Sequence, residues 1–97
     1  MLTTRRLYAW HRELNARVFD GALPRCKLEV GDCGADAIGL CWGDRIRVAE
    51  QPLADAKATL LHEMIHQWQH ENDLPMDHGP VFEVWRKLCL YCIRLSP

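Results

Sequence analysis

The sequence lacks a long hydrophobic run, a marked excess of charge of one sign, and an apolar stretch behind its basic start. No run approaches the roughly 20 apolar residues that cross a bilayer, and residues 1–7 carry two arginines without the apolar segment of a signal peptide. The 12 basic residues are balanced by 13 acidic ones, whereas a dedicated nucleic-acid-binding domain is usually clearly basic. We therefore expect a cytoplasmic protein with no membrane association.

Paired cysteine motifs are also scarce. The five cysteines are odd in number and follow no export signal, which argues against a disulfide framework. Cys89 and Cys92 form a single CxxC, where a zinc ribbon needs two, and both lie in a helical apolar pattern, so we expect them to pack in the core. The length of 97 residues fits one domain, residues 1–97, and we expect a monomer.

Positive charge is concentrated near the start of the chain. Arg5, Arg6, Arg12 and Arg17 fall within the first 19 residues against Glu13 alone. A solvated helix surface is the interpretation we favour, and a DNA-binding face is the alternative.

Hydrophobic periodicity and turn residues predict a compact α+β domain with the order helix, three strands, helix, helix. The second and third strands are separated by Gly43-Asp44, which indicates a hairpin. The second helix is apolar on most of its circumference, which is typical of a central, buried helix. The predicted elements are a helix over residues 4–19, strands over 27–30, 37–42 and 45–48, a helix opening near Pro52 and broken at 72–77, and a helix from Pro80.

The central helix carries the motif HExxH. His62 and His66 are four residues apart and so lie on one side of the helix, where both rings could bind one Zn²⁺. Glu63 lies about 100° round the helix from His62. This places its carboxylate near the metal but not on it, where it could accept a proton from a water bound to the zinc. A polar stripe in an apolar helix needs partners, and a metal supplies them.

A catalytic zinc site needs a third protein ligand. His70 lies two turns from His62, about 12 Å along the axis, which is too far to share one ion. His78 follows the helix break at Pro75, so the chain can return it to the metal, and Glu83 is the next choice. His11 is expected to be structural or on the surface. The full set of candidates for the third ligand is His70, Glu71, Asp77, His78 and Glu83.

Residues 59–68, followed by His78-Gly79-Pro80-Val81-Phe82, resemble the SprT-like/Spartan zinc metalloproteases. Residues 19–24, which end the first helix, and the strand pair of residues 39–48 also match that family's pattern. The resemblance implies a minimal zincin-like fold, zinc bound by three histidines, and proteolysis; the best-known members cleave proteins crosslinked to DNA. The C-terminal zinc-binding or basic segment of longer members has no counterpart here, so the DNA function carries over only weakly.

The sequence therefore predicts a zinc endopeptidase in which His62, His66 and His78 bind the metal and Glu63 is the general base. We expect a protein or peptide substrate to pair with an exposed strand edge formed by Ile38, Gly39, Leu40, Cys41 and Trp42. No residue is assigned to stabilise the oxyanion together with zinc; Tyr8, Tyr91 and the arginines are the candidates. The alternatives are a non-catalytic, zinc-stabilised module that binds DNA or protein, and a peptidase that acts independently of DNA.

Overall fold

The first helix begins and ends where its sequence predicts. A computed structural model describes the backbone of residues 1–95 and the side chains of residues 1–90. Helix α1 spans Thr4–Val18, and the Thr3 side chain caps it by accepting a hydrogen bond from the Arg6 amide at 3.1 Å. Asp20 and Gly21 then adopt positive φ angles of 54° and 74°, which ends the helix and turns the chain.

Three short strands form a mixed sheet with the order β1-β3-β2. The strands are β1 (Lys27–Val30), β2 (Gly39–Cys41) and β3 (Arg45–Val48). The predicted hairpin is present, since β2 pairs antiparallel with β3, while β1 pairs parallel with β3. Strand β3 is therefore central, and β2 is an edge strand. Strand β2 is shorter than the predicted 37–42, although backbone bonds join Ala49 to Ile38 and Trp42 to Arg45 beyond its ends.

Helix α2 (Leu53–Glu71) lies at the centre of the molecule, and α3 (Pro80–Leu95) packs beside it. Pro52 is the N-cap of α2, with φ of −53° and ψ of 144°. The sequence predicts Pro52 within the first helical turn, so the observed position is one residue earlier. Helix α2 packs against α1, α3, β2 and β3. This explains why apolar residues occupy most of its circumference.

The core joins all three helices to one face of the sheet. Its fully buried members include Leu7, Ile46, Leu60 and Met64. Cys89 is buried with them, as expected for core packing, whereas the side chain of Cys92 lies outside the described residues. Within the part of the chain that the structure describes, no helix combines the length and apolarity needed to cross a bilayer. The α+β fold class is confirmed.

Candidate metal centre

Three histidine side chains converge between α2 and the segment that precedes α3. His62 and His66 lie one turn apart on α2, as their spacing predicts. His78 comes from the chain that returns after the helix, and its Nε2 lies 3.1 Å from Nε2 of His62 and 3.2 Å from Nε2 of His66. The return of the chain after Pro75 thus brings His78 beside the pair, as the helix break in the sequence predicts.

The spacing and chemistry of these nitrogens suit a metal ion. Two nitrogens that bind one tetrahedral zinc at about 2.0–2.1 Å lie about 3.3–3.4 Å apart, close to both measured separations. One ligand atom from each of the three histidines lies within 4.8 Å of the other two, and no fourth metal-binding side chain joins the group among the described residues. The three residues could therefore hold a metal ion with a coordination position left open.

The electrostatics of the group keep two of its rings neutral. Burial, with smaller effects of His66 and His78, lowers the pKa of His62 to about 4. Burial also lowers the pKa of His66, although a hydrogen bond from its ring acts in the opposite direction. The neutral imidazole is the form that binds metals, so both rings are ready to bind at neutral pH.

Gln69 orients the ring of His66. The Gln69 amide donates from Nε2 to the carbonyl oxygen of Asp77 at 3.1 Å, which directs Oε1 towards His66. Nδ1–H of His66 donates to that Oε1 at 2.8 Å, so the neutral ring carries its lone pair on Nε2, the atom that faces His78. Gln69 is fully buried. Gln69 therefore fixes the tautomer of His66 and also holds the backbone of Asp77, the residue next to His78.

Phe82 packs against all three rings. Its ring centroid lies 4.8 Å from that of His62, 4.9 Å from that of His66 and 4.7 Å from that of His78. Only 2% of Phe82 is exposed. Because Phe82 is on the first turns of α3, this contact seats α3 under the histidines and limits their rotation. The His78–Phe82 spacing in the sequence thus corresponds to a ring that supports the site.

Glu63 borders the same site from the side of the sheet. Its carboxyl group is largely buried, and burial raises its pKa to about 7. A Cβ at Gly39 would lie 2.9 Å from Oε2 of Glu63 and 2.7 Å from Cγ2 of Thr59, so a larger residue there would displace one of these two side chains. His62, Glu63 and Gly39 line a cleft of about 410 Å³. The absence of a side chain at Gly39 thus leaves room for the carboxylate of Glu63.

The candidate substrate edge borders this cleft. Strand β2 is paired with β3 on one side only, and Ile38 and Gly39 line the cleft with Glu63. Ile38 is 60% exposed. Trp42 points to the other face of the sheet, where Arg45 lies 4.2 Å from its ring centroid. The structure therefore places Ile38 and Gly39 beside the site and Trp42 away from it, while Leu40 and Cys41 lie between them on the edge strand.

The other candidates lie elsewhere. A Cβ at Gly43 would lie 2.6 Å from the ring of His70, which therefore packs on the β2–β3 turn. Glu83 forms an ion pair with Arg86 at 3.0 Å. His11 is buried and shares a hydrogen bond of 2.8 Å with Gln67, as expected of a structural histidine. Tyr8 lies on a different cavity.

The fold and the histidine group together define a class of small α+β domains. In this class, HExxH on a central helix and a histidine from the next segment form a site that could hold a metal. The chain belongs to the SprT-like family, whose match covers residues 7–95. The resemblance drawn from the sequence is thus confirmed at the level of the family, which is compatible with a metallopeptidase-like role. A search of curated proteins found no match to the chain.

Proposed function

We propose that this chain is a zinc-dependent endopeptidase. The observation that carries the proposal is the position of Glu63, which lines one cleft with His62 and with residues 38 and 39 at the free edge of β2. A zinc site that only stabilises a fold is closed by four protein ligands and has no use for a buried carboxylate beside it. Among the described residues the group contains three ligands, which supports a site open to a substrate.

In this proposal His62, His66 and His78 hold the ion. Zinc supplies Lewis-acid chemistry: it makes water a stronger acid and stabilises negative charge on a carbonyl oxygen. Glu63 accepts the proton of the attacking water on its carboxylate and then donates it to the nitrogen of the leaving amine. Gln69 and Phe82 keep the imidazole rings in place during both transfers.

The substrate would bind as an extended segment. The free backbone groups of β2 can pair with one more strand, which would lie along the cleft next to Glu63. Recognition through backbone hydrogen bonds depends little on side chains, so we propose unfolded or locally extended proteins as the substrate class. The family resemblance adds DNA-associated or DNA-crosslinked proteins as the finer proposal.

A cleavage assay tests this function. Zinc-loaded protein is incubated with an unstructured protein, with the same protein crosslinked to single-stranded DNA, and with each substrate after chelation. We expect cleavage that disappears with the chelator and returns with added zinc. Cleavage of the crosslinked substrate alone would assign the DNA-dependent activity, and equal cleavage of both would assign a DNA-independent peptidase. If neither is cleaved while zinc is bound, the chain is a non-catalytic module.

A further inference from the structure

A second cavity, of about 390 Å³, lies between α1 and the segment that leads into β1. It shares no lining residue with the cleft beside Glu63. Its lining residues are Tyr8, His11, Arg12, Asn15, Leu23, Pro24, Arg25 and Cys26.

Hydrogen bonds hold the walls of this cavity in place. Asn15 donates to the carbonyl oxygen of Leu23 at 2.9 Å and accepts from its amide at 3.0 Å. Gln67 donates to the carbonyl oxygen of Pro24 at 2.9 Å, and His11 donates from Nε2 to Oε1 of Gln67 at 2.8 Å. The cavity is therefore a formed part of the fold.

Three donors in the lining are left for a ligand. The Tyr8 oxygen accepts a hydrogen bond from the amide of Leu28 at 3.1 Å, so its own hydrogen can be donated elsewhere. Arg12 and Arg25 are exposed, and neither forms an ion pair with any residue that the structure describes. In contrast, Arg17 pairs with Glu13 at 3.8 Å.

The charge of the lining is uncompensated. Arg12 and Arg25 are its charged members, and no carboxylate is among them. Asp44 and Glu71 are near enough to raise the pKa of the Cys26 thiol, after the larger effect of burial, but they do not line the cavity. Burial lowers the pKa of His11, so that ring adds no charge at neutral pH. The cavity thus offers two free guanidinium groups and one hydroxyl donor.

We propose that this cavity binds a phosphoester. Guanidinium groups bind phosphate oxygens through paired, charge-assisted hydrogen bonds. A pair of guanidinium groups is better suited to a phosphate ligand than to a ligand with a single carboxylate. The volume falls within the range of small-molecule sites, roughly 300–1,000 Å³, so it has room for the group esterified to the phosphate. A free mononucleotide and the backbone of a single-stranded nucleic acid both present this chemistry.

Calorimetric titration of the zinc-loaded protein tests the site. The probes are adenosine 5′-monophosphate and a twelve-residue single-stranded thymidylate. Arg12→Gln and Arg25→Gln should each weaken binding about tenfold or more, since each removes charge-assisted hydrogen bonds. Arg5→Gln is the matched control, because it removes the same charge from α1 outside the cavity and should change the affinity less than twofold. Unchanged zinc content and melting temperature would show that each variant is folded.

Each outcome decides the proposal. Binding of the mononucleotide that both cavity variants weaken supports a small phosphoester ligand. Binding of the oligonucleotide alone, with an affinity that falls linearly with salt on a logarithmic scale, supports the nucleic-acid backbone. The proposal is overturned if neither probe binds at millimolar concentration. It is also overturned if Arg5→Gln weakens binding as much as Arg12→Gln, because binding would then reflect the general charge of α1.

Discussion

His66 and His11 each share a 2.8 Å hydrogen bond with a glutamine of α2, yet the two rings use different nitrogens. His66 contacts Gln69 through Nδ1, so its Nε2 is free to face His78. His11 contacts Gln67 through Nε2, the atom that would otherwise be available to a metal. Both rings are buried, and burial lowers both pKa values. Burial and neutrality therefore do not separate a candidate ligand from a structural histidine, and the two rings differ first in the nitrogen that the glutamine contacts.

The two rings also differ in the number of metal-binding atoms around them. His66 lies against two more imidazoles with converging Nε2 atoms. Near His11 the other metal-binding atom is Sγ of Cys26, at 3.8 Å from Nε2, and no third such residue joins them among the described side chains. Burial raises the pKa of the Cys26 thiol to about 12, which disfavours the thiolate that a metal requires. Metal binding is therefore expected at His66 and not at His11.

Removal of His78, the third candidate ligand, should have the largest effect, and that effect should be on zinc affinity. Four-ligand zinc sites have apparent binding free energies of about 10–16 kcal/mol, or about 3 kcal/mol per ligand. His78→Ala should therefore weaken zinc binding by about 100-fold or more, measured by competition with a chromogenic chelator. A chelator should lower the melting temperature of the wild type more than that of this variant.

His70→Ala is the control for that experiment. His70 packs on the β2–β3 turn, so its loss should leave the affinity for zinc unchanged. If His70→Ala releases the metal and His78→Ala retains it, the assignment of the third ligand is wrong.

The two glutamines should differ in what their loss affects. Gln69→Leu leaves Nδ1 of His66 and the carbonyl of Asp77 without their partners, and loss of such an outer-shell partner typically costs 10–100-fold in metal affinity. Gln67→Leu leaves Nε2 of His11 and the carbonyl of Pro24 unpaired. It should reduce the free energy of unfolding by about 1–3 kcal/mol, with zinc affinity changed less than threefold.

Zinc titration and urea unfolding of both variants measure this contrast. Gln69→Glu keeps an acceptor for His66 and should retain more zinc affinity than Gln69→Leu. Equal losses of zinc affinity in the Gln67 and Gln69 variants would remove the distinction between the two histidine–glutamine pairs.

The smallest expected effect is a pH dependence that arises at His11. An unfolded histidine has a pKa of about 6.5, and burial lowers the pKa of His11 in the folded chain. The unfolded chain therefore takes up the proton first, so the contribution of His11 to stability is complete above about pH 6.5 and is lost as the pH falls below it. His11→Gln, which can still donate to Gln67, should be less sensitive to pH.

Urea unfolding at pH 7.5 and pH 5, with chelator present, compares the variant with the wild type. The difference between the two proteins cancels the contributions of His62 and His66. The same loss of stability in both would show that His11 takes up no extra proton on unfolding.

Much of the fold was predictable because its elements have strong local signals. The apolar period of α1, the alternation in β1 and β3 and the break after Asn72 place the boundaries within a few residues of those observed. The order of the strands was not predicted. Alternation shows which side chains face the core, but it does not show that β3 lies between β1 and β2.

The candidate metal site was also predictable only in part. Helical spacing places His62, Glu63 and His66, and the helix break allows His78 to return. The role of Gln69 was missed because it depends on the direction of an amide, which the carbonyl of Asp77 sets. The pairing of His11 with Gln67 was also missed, since it joins residues 56 positions apart. The HxxxF spacing that ends in Phe82 is the one signal in the sequence for a residue that supports the rings.

The most direct test of the proposed function is the rate of peptide-bond cleavage by Glu63→Gln at zinc occupancy equal to the wild type. Glutamine keeps the shape of the side chain but accepts no proton, so zinc should remain bound while cleavage falls by about 10²–10⁴-fold. Glu71→Gln, at the exposed end of α2, should cleave at the wild-type rate. Unchanged cleavage by zinc-loaded Glu63→Gln would contradict the assignment of Glu63 as the general base.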